Sequence, residues 1–404
     1  MLPYILYILM TLILSIWYDG KAETRGKKVW YIITCLFLIM LAGLRNGVGG
    51  DTQAYMDNFE YVPYMQQEYR SYILDNFQIR SYMPSWSILN ILCKRWFDSF
   101  YAVQLIEALL VNTCIFYLFK QYTSRIFMCA LLFGISGYFF IFNTEVMREA
   151  FAVALTGIGM YQYMRGNKTV FYVLILIGLT FHISALIALL FPITRLKKIS
   201  LNTCLIAFGL SFVLWIGNNL IMNIFMEHVL GTMAVSQKLL HYGDMQNNLF
   251  GFLESALRYL VSLTGIFYFA QFSPERTDKM QSDYAQYVGF YLFLAIVICA
   301  IPGFYRLLNY TAIMTIILVA DFIGSWKSQL TNMAFSKTII LLIFFFYIGK
   351  YYYRIWPEAE RHHYEFFVPY TSIMDENPDI DYRYYMWSSA VVHESTEKNS
   401  RSYK

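Results

Sequence analysis

The stretch Lys27-Lys28-Val29-Trp30-Tyr31-Ile32-Ile33-Thr34-Cys35-Leu36-Phe37-Leu38-Ile39-Met40-Leu41-Ala42-Gly43-Leu44-Arg45 is an apolar run closed at both ends by cations. Val29 to Leu44 carries no charge and approaches the length of about 17–25 residues that takes an α-helix across a bilayer. Lys21, Arg25, Lys27 and Lys28 crowd the short loop before it. Basic loops stay in the cytoplasm, so this helix is predicted to start inside and emerge outside. The preceding run, Leu2 to Tyr18, has neither a basic leader nor a small-residue cleavage site, and reads as a retained helix with its N-terminus outside.

The rest of the chain repeats this pattern. Its 404 residues are 58% hydrophobic and 14% charged, against roughly 45–50% and about 25% for a soluble domain, and mean hydropathy is +0.43. Further spans are predicted over Ser99–Phe119, Ile126–Phe142, Glu145–Met164, Leu201–Gly217, Phe252–Gln271, Tyr284–Ile301, Leu307–Ser325 and Thr338–Tyr353. The run Thr169–Ile193 breaks the alternation, because a single crossing would leave Arg195, Lys197 and Lys198 outside. It reads as a broken helix or re-entrant hairpin turning near Phe181-His182-Ser184. The fold class is therefore an all-α polytopic membrane protein with roughly 11–13 transmembrane or re-entrant helices and two long extracytoplasmic loops. Residues 1–353 form one helical domain, residues 45–98 and 218–251 the outer loops, and residues 354–404 a partly ordered tail.

Within the first loop, Pro84–Phe97 spaces Trp86, Leu89, Leu92, Cys93 and Trp96 as a helix lying in the interface. Pro302-Gly303-Phe304-Tyr305-Arg306 is predicted to be a tight outer turn. The tail falls outside in this register, although Lys350 and Arg354 favour the cytoplasm. The six cysteines show no Cys-x-x-Cys spacing, which argues against a disulfide framework or zinc site. A net charge of +4, dispersed, gives no reason to expect nucleic acid as a partner.

Gly43-Leu44-Arg45-Asn46-Gly47-Val48-Gly49-Gly50-Asp51-Thr52-Gln53-Ala54-Tyr55 follows the second span directly. Glycines free backbone amides to face an anion, and an arginine offers a planar, permanently charged fork suited to phosphate. This turn could hold a lipid-linked pyrophosphate. Arg148 and Arg306 are further cations on the outer side, and His182 is the natural base at neutral pH, with Ser184 near enough to orient a ring nitrogen. Each has a plainer reading. Arg45 could snorkel at a helix end, Asp51 could be a helix N-cap, Arg148 could pair with Glu145 and Glu149, and His182 could be a core histidine. Glu107 and Asp321 sit inside spans, where a carboxylate costs roughly 2.5–3.5 kcal/mol and needs a partner.

At these residues the chain resembles the EpsG-like family, within the Wzy-type polysaccharide polymerases. The resemblance rests on Gly43-Leu44-Arg45, Val48-Gly49-Gly50-Asp51 and Tyr55, on Glu145-Val146-Met147-Arg148-Glu149-Ala150, on Phe181-His182-Ile183-Ser184-Ala185-Leu186, on Arg306 before Tyr310, and on Val368-Pro369-Tyr370. Such proteins often carry Gln where Glu149 stands. The resemblance implies transfer of a growing glycan from an undecaprenyl pyrophosphate carrier to a lipid-linked repeat unit, at a multi-pass site on the outer side of the bacterial plasma membrane. It implies lipid-linked oligosaccharide and membrane lipids as partners, with room for a chain-length regulator and a flippase. Taken together, His182, Arg45, Asp51 and Arg306 are the candidate catalytic residues. Arg148, Glu145, Gly49, Gly50, Tyr55 and Tyr305 are the candidate substrate contacts.

No metal and no cofactor is expected, since Asp-x-Asp occurs only in the tail (Asp379, Asp381) and arginines can neutralise leaving phosphates. Two other classes stay open. A flippase would also line a path with cations, though it usually shows internal repeats, and a membrane glycan ligase or acyltransferase would use the same residue types.

Overall fold

The computed structural model describes residues 1–194, 196, 200–218, 248–270, 278–324, 334–356, 361–375 and 381–389. Most of the predicted loop 218–251, along with Arg195, Lys197, Lys198, Asp379 and the end of the tail, lies outside the described residues.

The protein is an all-α membrane bundle. Helices α1 (Leu2–Tyr18) and α2 (Arg25–Gly43) are joined at a basic end, where the Thr24 side chain accepts from Lys27 N–H at 3.1 Å and caps α2. The faces of α1 and α2 that carry Leu9, Ile13, Ile32 and Leu36 are exposed, as lipid-facing residues must be, while Tyr31, Leu38 and Ile39 are buried. Tyr31 donates its hydroxyl to Phe116 O at 2.7 Å on α6 (Phe100–Tyr122), so its polar atom is satisfied without water. Between α2 and α6 lie the loop helices α3 (Gly50–Glu60), α4 (Tyr69–Arg80) and α5 (Pro84–Phe97). Proline at its first turn and an amphipathic period give α5 the predicted bounds.

Helix α7 (Ile126–Ile135) does not continue to Phe142 as predicted. It is bent by 78° against Tyr138–Glu145, of which α8 (Tyr138–Phe140) runs into a π-turn, Ile141–Glu145. The cause is Gly137, at φ +87, where an added Cβ would stand 2.8 Å from the Tyr351 ring. Glu145 thus belongs to the π-turn, and α9 is Met147–Met164.

The run after α9 is a helical hairpin. Helix α10 (Lys168–Leu179) ends as the Thr180 hydroxyl turns back to Ile177 O at 2.6 Å, and a 3-10 arm, Ile183–Ile193, returns. Phe171, near the start of the first arm, and Phe191, near the end of the second, have ring centres 6.4 Å apart. Both ends of the hairpin therefore meet at the basic end.

Helices α11 (Leu201–Ile216), α12 (Leu249–Ala270), α13 (Asp278–Ala300), α14 (Ala312–Gly324) and α15 (Ala334–Tyr352) complete the bundle. Five helices among the described residues are long and apolar enough to cross a membrane, six with the bent pair, and Leu2–Tyr18, Lys168–Leu179, Ile183–Ile193 and Asn202–Ile216 are shorter apolar helices. Pro302–Thr311 is not a tight turn but a 3-10 stretch leading into α14, because Pro302 sits at its first turn and continues helical geometry. Asp321 is held by Thr123 Oγ1 at 2.7 Å and the Tyr284 hydroxyl at 2.8 Å, which provides the partners an intramembrane carboxylate requires. All six cysteines are free.

Residues 361–375 fold back over the end opposite the basic loop. Asn46 N–H donates to Thr371 O at 2.9 Å, Gly49 N–H to Phe366 O at 2.9 Å, and Ile373 N–H to Leu44 O at 3.0 Å. The Tyr370 hydroxyl donates to Leu41 O at 3.1 Å and that of Tyr4 to Phe367 O at 3.1 Å. This C-terminal segment closes the hydrogen bonds of the glycine turn.

Candidate functional site

The glycine turn is built around a buried cation. Arg45 is 1% exposed, and its guanidinium donates to Ala42 O, to Val48 O at 3.3 Å and toward Met147 Sδ at 3.3 Å. These contacts close the C-terminus of α2, where carbonyls lack helical partners. Burial lowers the Arg45 pKa to about 10, opposed by Glu107, which leaves the group charged at neutral pH. Glu107 is fully buried on α6, and neither of its oxygens has a hydrogen-bond partner among the described residues. Arg45 is the cation that acts on it through space.

Gly49 has φ +108, and an added Cβ would fall 2.4 Å from Thr144 Cβ. It is also the N-cap of α3. Asp51 is therefore not the N-cap but an acidic residue in the first turn, where it complements the helix dipole. Gly50 has only the Phe366 ring near its missing Cβ, at 3.9 Å.

Helix α3 brings Tyr55 to the start of α9. The Tyr55 hydroxyl donates to Glu145 O at 3.2 Å, and Arg148 lies 5.7 Å from the Tyr55 ring centre and 4.0 Å from that of Tyr82. Arg148 also donates to Ser81 O at 3.3 Å, while its Nε has no hydrogen-bond partner among the described residues. Burial raises the Tyr55 phenol pKa, an effect opposed by Arg148 and reinforced by Asp51. The Glu145 carboxylate is 3.2 Å from His363 Nε2, within ion-pair reach though not aligned as a hydrogen bond.

The hairpin tip forms the other side. His182 caps the 3-10 arm, with Nδ1 at 2.5 Å from Ser184 Oγ, and Ser184 Oγ is 2.8 Å from the Tyr310 hydroxyl. Phe181 stacks on Phe151 at 4.6 Å, which fixes the tip against α9. Ser85 N–H donates to Thr180 O at 3.0 Å and ties it to α5. Glu149 accepts from Asn309 Nδ2 at 3.2 Å and lies in the fields of both Arg306 and Arg148. Arg306 and Tyr305 are exposed.

The start of α9 is thus the meeting point of two groups. Asp51, Tyr55, Tyr82, Glu145 and Arg148 stand on one side, and His182, Ser184, Tyr310, Glu149 and Arg306 on the other. Arg45, with Gly49, lies beneath the turn and is enclosed by backbone. Sequence reasoning did not single out Tyr82, Asn309 or His363. Tyr310, noted only as a neighbour of Arg306, takes part through its hydroxyl. Among the described residues no three His, Cys, Asp or Glu side chains converge as a metal-ligand set.

A polytopic helical bundle with arginines, carboxylates and an imidazole gathered at one end places the chain among multi-pass membrane proteins. The chain belongs to the EpsG family, which it matches over residues 28–372. EpsG is a Wzy-type polysaccharide polymerase family, and the protein has a polysaccharide polymerase-like role in membrane polysaccharide biosynthesis. No curated protein and no solved structure matched the chain.

Proposed function

We propose that the protein joins lipid-linked repeat units, transferring a glycan from an undecaprenyl pyrophosphate carrier to the hydroxyl of an acceptor unit on the outer side of the plasma membrane. The observation that carries this reading is that the adjacent residues Asn309 and Tyr310 join Glu149, next to Arg148 in the chain, to the Ser184–His182 pair, with Arg306 and Arg148 both acting electrostatically on Glu149. In this reaction the acceptor oxygen forms a bond to the anomeric carbon, the carbon–phosphate oxygen bond breaks, and the pyrophosphate leaves with the electron pair. Arg306 and Arg148 meet that developing charge, and preorganised donors at such a position supply most of the stabilisation.

The acceptor proton goes to His182. The base role requires the tautomer in which Nδ1–H donates to Ser184 Oγ and Ser184 donates in turn to Tyr310, leaving Nε2 as the acceptor; that state gives up the bond in which Nδ1 accepts from Ser184 N–H at 3.4 Å. Glu149, which accepts from Asn309 Nδ2 at 3.2 Å, offsets the charge of the two arginines in this reading. Arg45, enclosed by Ala42 O and Val48 O, shapes the turn and does not reach the leaving group in this arrangement. The reading calls for no metal. Loss of the gene should leave single repeat units on the carrier; polymer retained on its carrier would indicate a ligase, and repeats trapped in the cytoplasmic leaflet a flippase.

A further inference from the structure

A polar cavity stands apart from the α9 site, among the loop helices. It holds about 380 Å³, inside the range of roughly 300–1,000 Å³ found for small-ligand sites, and is lined by Tyr64, Gln66, Tyr69, Lys94, Arg95 and Asp98. Lys94 is built into its wall. Its side chain is 7% exposed, and the ammonium lies 5.1 Å from the Phe59 ring centre and 4.9 Å from that of Tyr64. Asp98 meets it at 3.1 Å and Glu60 at 4.0 Å. The Tyr64 hydroxyl also donates to Asp98, at 3.1 Å.

The carboxylates largely cancel the cations here, so a phosphate or polyanion gains little, unlike at the start of α9. What remains is two tyrosine rings beside carboxylate, amide and guanidinium groups. Rings pack on the C–H face of a pyranose, and the polar groups match its hydroxyls as donors and acceptors. Position supports the same occupant. Helix α3 carries Tyr55 at the candidate transfer site and Phe59 one turn on, roughly 6 Å along the axis, under Lys94. Tyr55 and Phe59 are themselves buried, so the site and the cavity are linked by the shared helix α3 and not by an open groove.

We propose that the cavity bounded by Tyr64, Tyr69 and Asp98 is a glycan subsite, holding neutral sugar units of the strand at a distance from the bond being made. The assignment rests on the polymerase reading. The test uses full-length protein in lipid nanodiscs and, as probe, oligosaccharides of a few repeat units cut from the polymer of the producing strain. Tyr64→Ala and Tyr69→Ala should each weaken probe binding about tenfold, the loss of one stacked ring. Both should shorten the polymer while coupling two single units at the wild-type rate, and Tyr64→Phe should retain binding. Unchanged affinity and length in both alanine variants, or equal loss in Tyr64→Phe, would overturn the subsite. Polymer length that follows the replacement of anionic by neutral lipid, without probe binding, would assign the cavity to a lipid headgroup instead. Wild-type protein that makes no polymer counts against the polymerase reading alone, since probe binding still reports on the cavity.

Discussion

Gly49 and its neighbour Gly50 offer a matched pair that separates backbone strain from substrate contact. At Gly49, alanine must adopt φ +108 with ψ 143, a region essentially reserved for glycine, at a cost of about 1–3 kcal/mol. Its Cβ would also stand 2.4 Å from Thr144 Cβ, more than 1 Å inside the ~3.5–4.0 Å of carbon contacts, an overpacking worth about 1–3 kcal/mol. The sum is roughly 2–6 kcal/mol, borne by a turn whose amide also holds Phe366 O. At Gly50 the nearest atom is 3.9 Å away and no positive φ is needed, so alanine should be neutral or gain up to about 1 kcal/mol of helix propensity. The assay is thermal unfolding of both variants in detergent, with polymer measured in the same strains. Gly49→Ala should unfold well below wild type and Gly50→Ala should not. Equal stability of the two variants would refute the strain argument, and a stable but inactive Gly50→Ala would mean that substrate approaches this backbone closely.

Three further outcomes are expected. Replacing His182 with Ala should lower turnover by about 10² to 10⁴, and His182→Gln should also lose the acid limb of the pH–rate profile; a Gln variant with normal polymerisation would make the histidine structural. Arg148→Lys and Arg306→Lys keep charge but lose the fork, so polymer should fall at unchanged protein level, whereas full activity in the double variant or abolition by EDTA would remove the arginines from the leaving-group role. Arg45→Met removes the bonds to Ala42 O and Val48 O together with the cation that acts on Glu107, and should deplete folded protein; adding Glu107→Gln should recover part of the loss, and a double variant no better folded than Arg45→Met, read by size-exclusion chromatography, would show that the two groups do not depend on each other.

Local signals were legible in the sequence and long-range ones were not. Apolar length and the position of basic loops located the bundle helices, and the period of Trp86, Leu89 and Cys93 located α5 to the residue. The interruption at His182 was also local, because lysines beyond Ile193 ruled against a single crossing. The bend at Gly137 depends on Tyr351, from α15, and no window of neighbouring residues contains that ring. The same holds for the glycine turn. Its exposed-looking Arg45 is enclosed because Phe366, Thr371 and Ile373 return from the far end of the chain. His363 beside Glu145 and Asn309 beside Glu149 arise likewise, from contacts that only the packed bundle creates.

In the proposed reaction, glycosyl transfer between two lipid-linked units takes place on this protein. The most direct measurement is reconstitution of purified protein in vesicles with lipid-linked repeat units isolated from a deletion strain. Glycan length on a gel and released undecaprenyl pyrophosphate are followed together. The expected result is a ladder rising by whole repeat units, with one carrier pyrophosphate released for each new linkage, and loss of both signals in His182→Ala. Single units moved across the bilayer without any release of pyrophosphate would contradict it.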